Sequence, residues 1–429
     1  MALPRTSTPT SAGDIYALIR DRRDITRTEI GQLTGLSRTA VTARVTPLAA
    51  QGLIIEREQA PSTGGRPAAF LTFNADAGVV LSAAIGRSRT RLAVCNLAGE
   101  TLATTDIDQD PGLGPDDLMP DVVKRVDALL DESGHRSDKI YGIGLSLPGT
   151  VDRERGCSLD SPIMSGWDGV PLPPYFTELT DAPVILDNDA NVIALAERRG
   201  DRQAFDDLLV IKASTGLGAG IIAGGVLQRG AVQAAGEFGH NKTPAAAGVP
   251  CRCGDTGCLE AIAGGWALVR ALQADGHAVG HLRDVVKLAN SGDADARRMI
   301  RESGRHVGEV LAGAVNLLNP AVLVVAGDMA GAYDIFVAGL RETLYGNATA
   351  LATRVLQVVP STYGDRSGVT GSATMVLDHV LSPTSIDASL AGKPNKRLQT
   401  VLRAQNGPHR LAGRRRRVPP HPAQHRDDP

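Results

Sequence analysis

Three cysteines fall within eight residues, Cys251-Arg-Cys253-Gly-Asp-Thr-Gly-Cys258, and His240 stands a short way upstream. One imidazole and three thiolates form a complete four-coordinate set that suits Zn2+. With no position left open, such an ion is structural and not a Lewis acid. Gly254 and Gly257 allow the tight knuckle that turns three sulfurs toward one point. Spare thiols in a reducing compartment are the plainer alternative. Two carboxylates flank the cluster, Glu237 before His240 and Glu260 after Cys258. A fixed knuckle would aim both toward a sugar's hydroxyls, whereas either one alone is explained equally by a solvated surface charge.

Two further stretches could contribute. Asp187-Asn188-Asp189 precedes a helical stretch, Ala190–Arg199, that Gly200 ends. Amide and carboxylate at a strand-to-helix junction can hold a polyol, and the carboxylate could deprotonate a hydroxyl. A helix N-cap accounts for the same residues. Ser214-Thr-Gly-Leu-Gly-Ala-Gly220 is small enough for close backbone approach to an anion or nucleotide, and a tight hairpin would use the same glycines.

These groups need a frame to bring them together. From about residue 76 the chain alternates strands and helices. Val79–Ile85, Arg91–Leu97, Ile140–Leu147, Leu208–Ile211 and Val322–Ala326 read as strands, and Asp117–Asp131 as a helix. That alternation predicts an α/β body, and residues 76 to about 385 suffice for two lobes with a cleft between them.

The first 75 residues follow a different pattern. Ile15, Leu18 and Ile19 give one helix an apolar stripe. Thr26-Arg-Thr-Glu29 has capping-box spacing, with Ile25 and Ile30 as a staple, so a second helix begins at Arg27. Leu33 should continue its buried face, and Gly35 should stop it in a left-handed turn. Ser37 caps a third helix whose Val41, Val45 and Leu48 face inward, leaving Arg38, Thr39, Thr42 and Arg44 outward. Pro47 should kink or shorten its end. Leu53–Arg57 and Ala69–Phe73 are then strands of a wing with Arg66 near its tip. This is a winged helix-turn-helix whose outward hydroxyls and guanidiniums suit phosphates and base edges. A winged helix used for protein contacts is the alternative.

Charge divides the same way. Residues 1–75 carry nine Arg against six acids, and residues 393–429 carry ten Lys/Arg against two Asp, so the overall −2 hides an acidic middle. At 429 residues the chain exceeds one ordinary core. We divide it into a head (1–75), a body (76–390, with the knuckle at 240–258) and a basic, proline-containing tail (391–429) expected to be disordered. An aromatic content of 3% argues against a base-stacking single-strand surface. No run approaches the roughly 20 apolar residues of a membrane span, and no secretory signal opens the chain, so a soluble cytoplasmic protein is expected.

Ala235-Gly-Glu-Phe-Gly-His240 followed by Cys251-Arg-Cys-Gly-Asp-Thr-Gly-Cys-Leu-Glu260 resembles the ROK family of repressors and sugar kinases. The resemblance runs from about Asp14 to Leu390. It implies a two-lobed sugar-kinase/hsp70/actin-like (ribonuclease H-like) body. It also implies a sugar site at Asn188, Asp189, Glu237, His240 and Glu260, and zinc on His240, Cys251, Cys253 and Cys258. Ser146–Asp152 and Ser165–Pro171 match segments that line the family's sugar cleft. The family's kinases carry Asp-x-Gly-Gly-Thr in the first β-turn, where this chain has Ala84-Ile-Gly-Arg87-Ser88. The carboxylate is missing and an arginine replaces a glycine, which removes phosphate positioning and a metal ligand.

Head and body together predict a sugar-responsive regulator of transcription, a repressor and not an enzyme. Its expected partners are operator DNA and a small sugar or sugar-phosphate effector, and it would act as a homodimer or homotetramer. A sugar kinase that keeps Asp189 as base and carries an accessory DNA domain is the enzyme alternative. A regulator whose effector is another protein is the third.

Overall fold

The computed structural model describes residues 10–22, 24–58, 69–110, 112–159, 164, 166–200 and 202–392. The wing tip with Arg66 and nearly all of the basic tail lie outside the described residues.

The head contains α1 (Ala12–Arg22), β1 (Asp24–Thr26), α2 (Arg27–Thr34), α3 (Arg38–Ala50), β2 (Ile54–Glu58) and β3 (Ala69–Phe73). Its local signals act as their chemistry predicts. Thr26 Oγ1 accepts from the Glu29 N–H at 3.2 Å, and the Glu29 carboxylate accepts from the Thr26 N–H at 2.7 Å. Gly35, at φ 71°, ends α2, and Ser37 Oγ accepts from the Ala40 N–H at 3.2 Å to open α3. Ile15, Ile30, Val41, Val45 and Leu48 are fully buried. In the three-stranded sheet β3 lies between β1 and β2, with Ile54 opposite Phe73.

Two local expectations fail. Leu33 is 48% exposed. The buried face of α2 runs instead from Ile30 to Thr34, one full helical turn, and the Thr34 hydroxyl donates to the Ile30 carbonyl at 2.6 Å. Pro47 does not shorten α3, which continues to Ala50. The last turn is closed beyond it by Gln51 N–H to Pro47 O and Leu53 N–H to Leu48 O, while Leu48 anchors the turn in the core.

The first lobe is built from β4 (Val79–Ile85), β5 (Arg89–Asn96), β6 (Thr101–Asp108), α4 (Pro115–Glu132), β7 (Ile140–Leu147), β8 (Thr150–Asp152), β9 (Cys157–Leu159) and β10 (Val184–Asn188). Helix α5 (Asp189–Arg199) leads into the second lobe. There follow β11 (Leu208–Ala213), β12 (Leu217–Ala223), β13 (Val226–Gln228), α6 (Glu260–Ala263), α7 (Gly265–Ala274), α8 (Leu282–Asn290), α9 (Ala294–Leu318), β14 (Val322–Ala326), α10 (Tyr333–Asn347), α11 (Ala350–Thr353) and β15 (Gln357–Pro360). Helices α12 (Ser367–Val380) and α13 (Pro383–Leu390) then return to the first lobe and the head.

The two five-stranded sheets share one topology. Their orders are β6-β5-β4-β7-β10 and β13-β12-β11-β14-β15. Each is an antiparallel meander of three strands extended by two parallel ones. This is the duplicated frame of the sugar-kinase-like α/β fold, with helices covering the sheets. The long α9 and α10 pack against each other at the far side of the second lobe.

The ends of β4, β7, β10 and β11 face a cleft between the lobes, where loops are free to carry side chains of mixed chemistry. No helix among the described residues is long and apolar enough to cross a membrane.

Candidate functional site

The cleft contains a cavity of about 650 Å³. Asn188, Asp189, Glu237, His240 and Glu260 all line it, although they come from β10, α5, the loop after β13 and the start of α6. Backbone packing explains how that loop is held. At Gly236, φ is 97° and an added Cβ would lie 1.9 Å from the Ala219 carbonyl oxygen, so only glycine lets the segment approach β12.

Asn188 has two roles at once. Its Oδ1 accepts from the N–H groups of Ala190 and Asn191 at 2.8 and 3.3 Å, capping α5, and its Nδ2 donates to Gly149 O at 2.8 Å. One amide hydrogen is left over. Asp187 beside it is only 2% exposed. Its carboxylate accepts from Asn191 Nδ2 at 2.9 Å and pairs with Arg229 at 2.7 Å, so it serves the frame.

Asp189 Oδ2 pairs with Lys212 Nζ at 2.5 Å. Sequence reasoning missed Lys212, although a lysine inside the apolar strand Leu208–Ala213 is an available signal. Burial opposes its charge, but Asp189 nearby, with Asp328 and Glu260 adding, holds its pKa above the ordinary lysine value. Glu260 is 6% exposed. Its Oε2 accepts from the Leu217 N–H at 2.8 Å and its Oε1 from Trp266 Nε1 at 3.0 Å. Each oxygen keeps a lone pair for a further donor.

Glu237 takes a 3.3 Å hydrogen bond from Thr150 Oγ1. Desolvation by the cleft walls raises its pKa above the usual carboxylate value despite the counter-pull of His240, and Asp189 and Glu260 add to the rise. Gln233 is a second residue that the sequence did not flag. It lies on the cavity wall at φ 64°, and its buried Oε1 has no partner among the described residues. Backbone strain of that kind concentrates at ligand sites.

The stretch Ser214–Gly220 is a tight hairpin. The Ser214 N–H donates to Gly216 O at 3.0 Å, and β12 pairs antiparallel with β11. Its turn still lines the cavity, as do Ser146 to Thr150 in part and Asp168. The β4–β5 turn forms another wall with Ala84, Gly86, Arg87 and Ser88.

The ligand atoms of His240, Cys251, Cys253 and Cys258 lie within 4.8 Å of one another, a group able to hold a metal ion. Cys253 Sγ and Cys258 Sγ are 3.7 Å apart, and Cys251 Sγ is 3.8 Å from His240 Nδ1. A tetrahedral zinc with Zn–S bonds of about 2.3 Å has S···S edges of roughly 3.8 Å. The donor set therefore fits. Lys242 Nζ donates to Cys258 Sγ at 3.3 Å, and the backbone N–H groups of Cys253 and Asp255 point at Cys251 and Cys253. His240 divides between two tasks: Nδ1 faces the thiols while Nε2 lies 3.9 Å from Glu237 Oε2.

In the head, Arg38, Thr39 and Thr42 are exposed on the first two turns of α3. Arg44 is not free. Its Nε donates to the Thr10 carbonyl and its Nη1 to Ala40 O at 3.0 Å.

The ROK family profile matches residues 80–379, and a winged helix-turn-helix DNA-binding profile matches residues 12–55. The chain belongs to the ROK family.

Within that family it is 28% identical to the xylose repressor of Caldicellulosiruptor bescii over 382 residues, covering 86% of this chain and 95% of the repressor. Identity to the glucokinase of Halalkalibacterium halodurans is 30% over 309 residues, covering 68% of this chain and 93% of the kinase. Among solved structures, a ROK family transcriptional regulator described as a homolog of the E. coli MLC protein superposes with a TM-score of 0.74 at 26% identity. That match covers 90% of this chain and 99% of the regulator. The alignments to the two regulators extend into the head, so this ROK chain shares the regulators' two-part organisation.

Proposed function

We propose that this ROK protein is a sugar-responsive transcriptional repressor that binds operator DNA through its winged head. One conjunction carries the reading. A winged helix-turn-helix with Arg38, Thr39 and Thr42 exposed is joined to a cleft that gathers polar groups suited to hydroxyls. The repressor relatives, aligned over head and body, support it. Arg66 would add a contact from the wing, and Arg44 would do so only after releasing Thr10. We divide the chain at residues 75 and 390, with the protein acting in the cytoplasm as a homodimer or homotetramer.

In the cleft, Asn188, Asp189, Glu237, His240 through Nε2, and Glu260 would hold the sugar's hydroxyls, with Gln233 Oε1 as a further acceptor. Zn2+ on His240 Nδ1, Cys251, Cys253 and Cys258 would supply a closed structural anchor and no catalysis. Glu260 and His240 are then positioned by the same knuckle. Ligand binding that draws the lobes together changes the spacing or order of the heads.

The kinase reading keeps two supports, Asp189 in the cavity and a glucokinase relative. Against it, the β4–β5 turn presents Ala84 where a metal-binding carboxylate is required, and one oxygen of Asp189 is committed to Lys212.

Gel-shift titration of DNA flanking the protein's own gene, with and without a panel of sugars, tests the proposal. The expected result is specific binding that a sugar modulates, with Asp189→Asn blunting the modulation but not ligand-free binding. Affinity for that DNA no better than for random duplex at moderate salt would refute it. ATP consumption with a hexose, abolished by Asp189→Asn, would restore the kinase.

A further inference from the structure

The winged head presents little free positive charge of its own. On α3, Arg38 is exposed, but Arg44 is turned onto the Thr10 carbonyl and Ala40 O. Arg27, at the start of α2, is neutralised by Glu56, its Nη1 donating to Oε2 at 3.0 Å. Over residues 1–75 nine Arg stand against six acids. Contact with about 6–10 phosphates is what makes duplex binding steeply dependent on salt, and a head so nearly balanced supplies only part of that.

A larger reserve of charge lies elsewhere in the chain. From Lys393 to Arg417 there are nine Lys/Arg and no Asp or Glu, ending in the block Arg414-Arg-Arg-Arg417. The function proposed above makes no use of it.

The fold fixes where this segment starts. Helix α13 ends at Leu390, and the chain leaves it through Ala391 and Gly392, both exposed, with Gly392 at φ 65°. That helix is clamped to the head. Its Asp387 carboxylate accepts from the Gly13 N–H at 2.8 Å, and a Cβ at Gly13 would lie 2.0 Å from Pro383 O. Three residues before Gly13 stands Thr10, whose carbonyl receives Arg44 of α3. Three residues span at most about 11 Å. The clamp on α13 and the contact to α3 are thus about one helix diameter apart.

Reach follows from chain length alone. Arg414 lies 22 residues beyond Gly392. Such a length covers about 33 Å as a helix and roughly 75 Å fully extended. The eight residues of α13 add up to about 12 Å. Even the shorter reach exceeds the path from the end of α13 through Gly13 to Thr10. The body, which carries the acidic excess of the chain, competes for the same cations. The exit beside the head, and a duplex with one charge per roughly 1.7 Å, favour DNA.

We propose that residues 393–417 form a basic arm that contacts the phosphodiester backbone of DNA beside the site met by α3, with Arg414–Arg417 as its main grip. Guanidinium forks match phosphate oxygens, and such contacts carry no sequence information of their own. The arm rests on the DNA-binding reading of the head and adds to it a second, sequence-independent contact.

Fluorescence anisotropy on the full chain tests this, with DNA flanking the protein's own gene and a random duplex of equal length, each from about 50 to 200 mM salt. The variant combines Arg414→Gln, Arg415→Gln, Arg416→Gln and Arg417→Gln. Each phosphate contact contributes about 0.9 to the slope of log K against log salt. The variant should flatten that slope by roughly 3–4 and weaken binding to both DNAs by about tenfold or more near 0.1 M salt. The ratio of the two affinities should stay as it is in the parent.

A slope unmoved by the four substitutions overturns the inference, and so does a loss confined to the own-gene DNA. Tighter DNA binding by the variant overturns it too and assigns the cations to the acidic body. If the parent binds own-gene DNA no better than the random duplex, the repressor reading falls, while the random-duplex slopes still decide the arm.

Discussion

Replacing Lys212 with methionine removes one ammonium from the cleft and keeps most of its stem. Lys212 Nζ lies 2.5 Å from Asp189 Oδ2, and the two side chains are 24% and 16% exposed. At that separation two unit charges attract by about 6–7 kcal/mol at an effective dielectric of roughly 20. Desolvation of both ions offsets most of this, so the intact pair adds little net stability. Breaking it is another matter. Lys212→Met leaves Asp189 without its cation in a site where Glu237 and Glu260 add charge of the same sign. Stranding one member of a fully buried pair costs about 3–5 kcal/mol, and access of water to the cleft brings the expected loss to roughly 2–4 kcal/mol. Removing the stranded charge as well, in Lys212→Met/Asp189→Asn, should recover about 2 kcal/mol in a double-mutant cycle.

Urea unfolding of the four proteins measures both quantities. The pH dependence is a second check, because Lys212 has a raised pKa in the folded protein. Such a lysine contributes fully below its unfolded value of about 10.4 and loses the contribution as pH rises through the folded value. The gap between the parent and Lys212→Met should therefore be flat around neutrality and narrow only in alkali. A single-mutant loss under about 0.5 kcal/mol, the scale of a surface pair, or a double mutant whose loss is the sum of the singles, refutes the argument.

Elemental analysis of protein purified without chelator should find one zinc per chain, and Cys253→Ser should lower zinc content, thermal stability and sugar affinity together. Zinc-free protein with full sugar affinity would contradict this. Arg38→Ala should weaken operator binding by about 1–3 kcal/mol if it reads a base edge, and Arg44→Ala by less, since its guanidinium is turned onto Thr10 and Ala40. A larger effect at Arg44 would reverse that order. Thr26→Ala, which removes the cap of α2, should cost about 1 kcal/mol in denaturant melts. An unchanged midpoint would mean that tertiary packing alone holds the helix.

What could be read from the sequence was set by how near in the chain the deciding partner lies. The capping box at Thr26 and Glu29 closes over three residues, and the strands Val79–Ile85, Ile140–Leu147 and Val322–Ala326 are apolar runs bounded as written. The cysteine knuckle is likewise local. Failures came where a distant neighbour decides. Arg44 faces outward by helical period, yet a carbonyl in the segment before α1 draws it back. Lys212 was missed as the partner of Asp189 because it lies on a strand of the second lobe, 23 residues further along the chain. Leu33 fits the apolar period of α2 as well as Thr34 does, and only the packing of the head decides which is buried. Asn188 shows that a cap and a candidate ligand are not alternatives, since two of its three polar groups serve the frame and one hydrogen remains.

Packing also joins the cleft to the head. Asn188 caps α5, and α5 lies so close to α12 that a Cβ at Gly371 would fall 1.8 Å from the Val192 carbonyl oxygen. Helix α12 presses equally on β7, where a Cβ at Gly144 would meet Ser372 O at 2.3 Å. The chain passes directly into α13, whose Asp387 accepts from the Gly13 N–H of α1 at 2.8 Å. A Cβ at Gly13 would in turn lie 2.0 Å from Pro383 O. Residues of α1, α3, β4, β5, α12 and α13 share one hydrophobic cluster. Backbones in direct contact cannot slide past each other by small side-chain adjustments, because close-packed interiors transmit displacement. A ligand that shifted α5 would therefore load α12 and, through α13, α1. In an enzyme of this architecture, closing the lobes excludes water from phosphoryl transfer. On the repressor reading the same closure would reach the winged head, and the frame would serve regulation with Ala84 at the end of β4.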